Sequence, residues 1–456
     1  MAEIDDNSEK INNSSSEAQA IKTTEFMKET IKQRPINRKK LVRRLLATVA
    51  MAVLFGLIAC LTFLVLEPVI DGSVNSDNTL EIEAVTFPEE TVEEETRPED
   101  MIVEETELHP VEIDQAPLGD EQIEQVLNEM ELGVEDYLSL SSVVTDMAEE
   151  VSKSMVSVVA ITKDTDWFSN EYADENVVSG LIVADNGRDL LVLTDLGAFT
   201  DMDSLEVVLN DGTTQKADLL MKDKVTGLSV VAVNKIGMKR ATVENTAIIQ
   251  MGSSANKNLN GTPIVAMGRP LGIESSIGIG YITSCSSLIN MADANYKLLT
   301  TDIYGSPEGS GFLFNVKGQL MGVIDMSNAP SGMDNMISGM GISELKRMIE
   351  RLSNGNEISY LGIYGTDVTR DINESMGVPI GVYITRLDID SPLLEAGIQS
   401  GDIITRYAGI AVTTFQDMNN LRLTMDPESQ VKIEIKRQSP DGYTAMEYDI
   451  VLGHQP

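Results

Sequence analysis

Two histidines in 456 residues leave little imidazole for chemistry. His109 lies in an acidic stretch and His454 near the C-terminus, so everything between them lacks the side chain best suited to exchanging protons near neutral pH. Cysteine is as scarce. Cys60 sits in an apolar run and Cys285 lies far from it, which excludes a disulfide framework and a Cys-rich metal site. Positive charge is also short: 34 Lys and Arg stand against 72 Asp and Glu, a formal net charge of −38. The mean field of such a chain repels a polyanion, so nucleic acid is not an expected partner. No cofactor or metal is expected either, since the globular sequence holds no histidine cluster and no phosphate-loop lysine. With 42% hydrophobic residues, the chain can fill the cores of two or three domains.

Composition changes sharply along the chain. Residues 1–44 are polar and end in "RPINRKKLVRR", a basic cluster. From 45 to 66 the sequence carries no charge, and at about 1.5 Å rise per residue this run is long enough for a hydrocarbon core roughly 30 Å thick. A transmembrane helix is therefore expected, with the basic tail cytoplasmic and the rest outside, which makes the protein a single-pass cell-membrane protein. A cleaved signal peptide is the alternative, but its apolar region would be shorter and a small-residue cleavage site is not obvious. Residues 67–139 include "FPEETVEEETRPEDMIVEETELHPVEIDQ", whose self-repulsion and Pro breaks predict an extended linker. Within it, Ile123, Val126, Leu127 and Met130 fall on one face of a short helix.

Globular sequence is expected over 140–354 and again over 355–456. "VVTDMAEEVSKSMVSVVAI" reads as a helix turning into a strand. Short β-rich runs follow, among them "SGLIVA", "DLLVLT", "SLEVVLN", "SVVAVN", "TPIVAMG", "GIGYITS", "GFLFN" and "QLMGVID", separated by Gly, Asn and Asp turns. Such spacing predicts an all-β barrel or sandwich, closed by the helix "ISELKRMIERL". The second module opens at "ISYLGIYG" and alternates strands with helical stretches around "SPLLEAGI" and "FQDMNNLRLTM".

These segments carry a family likeness. "VSGLIVADNGRDLLVLTDLGAF", "VTGLSVVAV", "PIVAMGRPLGIESSIGIGYITS" and "TTDIYGSPEGSGFLFNVKGQLMGVI" resemble the segments that deliver the catalytic residues in the trypsin-like protease domain of the HtrA (Deg) family. "YLGI" and "SPLLEAGIQSGDIITRYAGIAV" are similar to the PDZ domain that follows it there. The resemblance covers residues from about 145 to 350 and from about 357 to 453. It implies a mainly β fold, a trypsin-like double β-barrel followed by a PDZ domain. The basic, apolar and acidic N-terminal order resembles membrane-anchored Gram-positive members. Trimers are frequent in the family, so a homotrimer is the assembly it suggests.

The resemblance also exposes departures. Ser310 occupies the nucleophile position, but Gly197 stands at the histidine position and Gly227 at the aspartate position. The nucleophile would therefore lack both its base and the carboxylate that orients it. Glu308 replaces the first glycine of the family's serine motif, whose amide and the serine amide converge on a developing oxyanion. A replacement base would have to be an amine such as Lys222 or Lys224, with Asp223 between them, yet nothing in the sequence sets an amine beside Ser310. Two main readings stay open, beside a third in which the protein is a purely structural envelope scaffold with a nonfunctional PDZ groove. One is a catalytically inactive homologue that binds peptides, unfolded segments or the C-termini of envelope proteins in quality control or scaffolding. The other is an active serine endopeptidase using Ser310 with a nonstandard base. Peptide capture by the PDZ module would use Tyr360, Leu361, Gly362 and Ile363, whose amides hold a terminal carboxylate while a neighbouring strand edge pairs with the ligand. Pocket residues on the later helix are expected around Asn420 to Leu423.

Overall fold

A computed structural model describes residues 51, 82–88, 134–165, 171–199 and 202–456. The basic tail, the apolar run apart from Met51, most of the acidic segment and the short helix expected within it lie outside these residues. Helix α1 (Val134–Ser152) leads into twelve strands that close two barrels. The first barrel contains β1 (Met155–Thr165), β2 (Glu171–Asp185), β3 (Asp189–Asp195), β4 (Ser204–Val208), β5 (Thr214–Lys222) and β6 (Leu228–Asn234), in the order β1-β2-β3-β6-β5-β4. A short helix, α2 (Arg240–Glu244), precedes the second barrel. Its strands are β7 (Pro263–Arg269), β8 (Ser276–Met291), β9 (Ala294–Tyr304), β10 (Ser310–Phe314), β11 (Leu320–Ile324) and β12 (Met336–Gly341), in the order β10-β11-β12-β9-β8-β7. The fold is mainly β, as the sequence predicts.

Several strands read as continuous apolar runs because both of their faces are covered, alternate residues pointing to opposite sides. In β2, Leu181 and Val183 enter the cluster between the barrels while Ile182 points into the first barrel's interior. In β3, Leu191 and Leu193 face the shared cluster while Leu190 and Val192 face the interior. On the other side, Phe312 and Phe314 of β10 join the shared cluster and Leu313 fills the second barrel. Helix α3 (Ile342–Ser353) caps the shared cluster with Leu345, Met348, Ile349 and Leu352, a spacing that places all four on one helical face.

The C-terminal part has its own core, built around Tyr407, Phe415 and Ile433. A short pair, β13 (Ser359–Tyr360) with β20 (Gly453–His454), flanks a sheet of β14 (Ile363–Asp367), β15 (Val382–Leu387), β16 (Ile403–Tyr407), β18 (Gln430–Ser439) and β19 (Gly442–Val451), with β17 (Ile410–Ala411) on β16. Helices α4 (Arg370–Met376), α5 (Pro392–Glu395) and α6 (Phe415–Arg422) complete it. Strand β14 forms one edge of the sheet.

One expectation needs correction. Among the described residues no helix is long and apolar enough to cross a membrane, so the single-pass cell-membrane localisation is withdrawn. The longest of them, α1, carries Glu135, Asp136, Asp146, Glu149 and Glu150, charges that a hydrocarbon core excludes. One stretch of the acidic linker, residues 82–88, packs against the protein. Val85 is buried, and the Asn354 side chain holds its backbone on both sides, accepting from Val85 N at 2.9 Å and donating to Val85 O at 2.8 Å. Phe87 N donates to Glu350 Oε2 at 3.1 Å. The Asn354 amide at the end of α3 thus fastens the middle of this stretch, with Glu350 and the Asn186 carbonyl holding it on either side. Asn354→Ala is expected to cost about 1 kcal/mol in denaturant unfolding and to speed deuterium uptake over residues 82–88 without changing uptake in β10.

Candidate functional site

Ser310 opens β10, opposite Arg269 of β7, and is half-buried. The turn before it is closed by its own backbone: Ser306 N donates to Pro270 O at 2.9 Å and Gly309 N to Ser306 O at 2.8 Å. Glu308 N donates to Ser306 Oγ at 3.2 Å, so the amide at the position associated with an oxyanion hole is already engaged. Among the described residues, Ser310 Oγ forms no hydrogen bond.

Gly197 and Gly227 do come together. Gly197 follows β3, Gly227 precedes β6, and Leu196 N donates to Gly227 O at 3.1 Å. A Cβ on Gly227 would lie 2.6 Å from Gly197 Cα, and one on Gly197 would lie 3.2 Å from Gly227 Cα. Gly227 also has φ of 81°, a left-handed conformation that favours glycine. Backbone fills the space on both sides. Asp195 Oδ1 accepts from Gly197 N at 2.8 Å and stands close to both glycines. The Asp195 side chain keeps contact with solvent, yet the protein crowding it pushes its carboxyl upward; Asp325 adds to this, and the Gly197 amide and Lys222 oppose it. Its water contact screens that effect.

The amines that could have substituted for a base are committed elsewhere. Lys222 Nζ donates to Leu196 O at 2.7 Å and to Phe199 O at 3.1 Å. Lys224 Nζ donates to Gln455 O at 2.9 Å. Asp223 is buried, taking Gln455 Nε2 at 2.6 Å on one oxygen and Thr226 N at 2.8 Å on the other. His454 Nδ1 pairs with Glu357 Oε1 at 2.8 Å, and its Nε2 lies 3.7 Å from Glu428 Oε1. His109 lies outside the described residues.

Tyr360 to Ile363 run from β13 into β14. The Tyr360 ring is buried and its hydroxyl donates to Asp388 Oδ2 at 2.9 Å. Leu361 and Ile363 are fully buried in the C-terminal core. Gly362 has φ of 70°, and a Cβ there would meet the Tyr360 ring at 2.9 Å. Backbone amides of this loop are occupied: Leu361 N donates to Asp293 Oδ2 at 2.8 Å and Ile363 N to Asp293 Oδ1 at 3.0 Å. On α6, Arg422 bonds Ser359 O and Asn419 Oδ1, while Leu423, just beyond the helix, joins the cluster between the barrels.

A trypsin-like peptidase domain family matches residues 178–323, and a PDZ domain family matches residues 359–444. The chain resembles HtrA proteases in joining these two domains in that order. It is 26% identical over 265 residues to a probable periplasmic serine endoprotease, DegP-like, of Halomonas elongata, covering 57% of this chain and 53% of that one. It is 24% identical over 339 residues to the serine protease Do-like HtrA of Lactococcus lactis, covering 66% and 81%. The chain spans about half the length of the DegP-like relatives from Halomonas and Rickettsia, 53% and 51%. Among solved structures, an HtrA-type protease AlgW with a decapeptide is 17% identical, with 69% of this chain and 99% of that one covered and a TM-score of 0.48.

In this HtrA-like chain, sequence reasoning misses Asp195 and Asp293. Asp195 lies within the first family-like segment, but only the folded turn sets it beside both glycines. Asp293 sits in a hairpin turn, an ordinary place for aspartate, and its partners lie about 70 residues on. The imidazole of His454 is held above its usual range by the Glu357 hydrogen bond and charge, with Glu428 adding. Because the folded pKa is raised, this contact stabilises fully below about 6.5, the ordinary value, and fades as pH rises through the folded value. His454→Gln is therefore expected to lower Tm at pH 5.5 and to match the wild type at pH 9 in thermal melts across that range.

Proposed function

We propose that this HtrA-like protein is a serine-protease homologue without hydrolytic activity. It acts by capturing peptides, unfolded segments or C-termini of envelope proteins in quality control or scaffolding. The observation that carries this reading is the approach of Gly197 and Gly227: at the two positions where a base and its orienting carboxylate would stand, backbone meets backbone. Deprotonating Ser310 would require an acceptor within hydrogen-bond reach, and Lys222, Lys224 and His454 are each engaged elsewhere. The engaged Glu308 amide weakens oxyanion stabilisation as well. Capture has better support. The loop from Tyr360 to Ile363 ends in an edge strand, and its amides already hold a carboxylate.

The second reading, an endopeptidase with a nonstandard base, is favoured by one feature: Ser310 is retained at the start of β10 with its hydroxyl uncommitted. The relatives are named as a probable serine endoprotease and a serine protease. A fluorophosphonate probe and a casein substrate separate the two. The expected result is no labelling of the wild type above Ser310→Ala, and turnover of casein roughly 10⁶-fold below that of an intact triad enzyme. Labelling that disappears in Ser310→Ala, with matching casein turnover, would establish the endopeptidase instead.

A further inference from the structure

The turn joining β8 to β9 is unusual for a hairpin tip. Ala292 and Asp293 link strands whose last pair is Met291 with Ala294, and such tips ordinarily project into water. Here Ala292 is 8% exposed, Asp293 2% and Ala294 1%. What covers them is the loop from Tyr360 to Ile363, together with β14 and α6. We propose that Asp293 closes the peptide-binding loop in cis, its side-chain carboxylate standing in for the C-terminal carboxylate of a ligand. This rests on the reading of Tyr360 to Ile363 as a carboxylate-capturing loop.

Three contacts reproduce what a bound peptide terminus needs. Leu361 N and Ile363 N grip the two carboxylate oxygens of Asp293 at 2.8 and 3.0 Å. Asp293 N in turn donates to Ile363 O at 2.8 Å, so one residue offers both the carboxylate and the amide that meets the sheet edge. Further along that edge, Asn295 Nδ2 donates to Gly365 O at 3.0 Å. The hairpin thus caps an edge strand that would otherwise present unpaired backbone groups. A peptide terminus needs the same amides and the same carbonyl, so it and Asp293 exclude each other.

Charge narrows the class of ligand. Arg422 is 4% exposed, and its Nη1 lies 4.0 Å from Asp293 Oδ2. A buried guanidinium left without a nearby carboxylate is costly. Whatever displaces Asp293 must bring a carboxylate to the same place, which selects a free C-terminus over an internal stretch of unfolded chain. The loop binds only in the fraction of molecules where the hairpin has withdrawn, and apparent affinity falls by that fraction.

Removing the carboxylate tests this. Asp293 has φ of 65°, so Asp293→Gly keeps the turn's backbone geometry while deleting the side chain, and Asp293→Asn keeps the shape without the charge. Full-length protein would be titrated by fluorescence polarisation with fluorescein-labelled decapeptides ending in Val, Leu, Phe or Ala. The same peptides as C-terminal amides serve as controls, and circular dichroism checks the fold of each variant. The expected result is weak binding to the wild type and at least about ten-fold tighter binding to either variant, for free carboxylates only. Equal binding by wild type and folded variants would overturn the closure while leaving peptide capture standing. No binding by any folded form would overturn both. Tightening that extends to the amidated peptides would overturn the assignment of a carboxylate-selective site.

Discussion

A carboxylate with only 2% of its surface exposed must find donors to replace its lost water, and Asp293 finds them in another part of the chain. That requirement ties the second barrel to the C-terminal sheet more firmly than apolar contact alone. Burial pushes the Asp293 carboxyl upward, while Arg422 and the loop amides pull it down. The hairpin tip, the edge of β14 and the buried guanidinium all depend on this one side chain. A second fastening lies just beyond β20, where Gln455 bridges Asp223 and Lys224 beside the turn that carries Gly227. The loop from Tyr360 to Ile363 and the turn that carries Gly227 are therefore held in one frame.

Strands buried on both faces are the most legible elements. "DLLVLT" and "SVVAVN" stand out because an unbroken run of β-branched and aliphatic residues, too short for a helix, fits only a strand covered on each side. β5 and β12 do not announce themselves as strands, for opposite reasons. "TQKADLLMK" is charged and mostly uncovered, so its membership depends on neighbours rather than on its own composition. "MISGMG" is rich in glycine, and its place is set by the closure of the barrel between β11 and β9. Helix α4 has no buried residue, so no apolar periodicity marks it in the sequence.

The serine segment and the loop at Tyr360 are legible because each is a short local motif with its own backbone signature. Asp293, Asn354 and Gln455 are not, since each acts through a partner distant in sequence, and an aspartate, an asparagine and a glutamine are ordinary residues where they stand. Lys222 shows the reverse case. Proximity in sequence suggests a free amine, whereas two carbonyls following β3 have already claimed it.

The meeting of Gly197 with Gly227 bears on how such a site can change over generations. A side chain added at Gly227 runs into the Gly197 backbone, and one added at Gly197 is held tightly between the Asp195 carboxylate and Gly227, so neither position takes a side chain until its neighbours have moved. A single replacement at Gly227 would cost stability before any second change could relieve it. Two glycines packed this closely act as a ratchet: easy to turn one way, and resistant to being wound back one residue at a time.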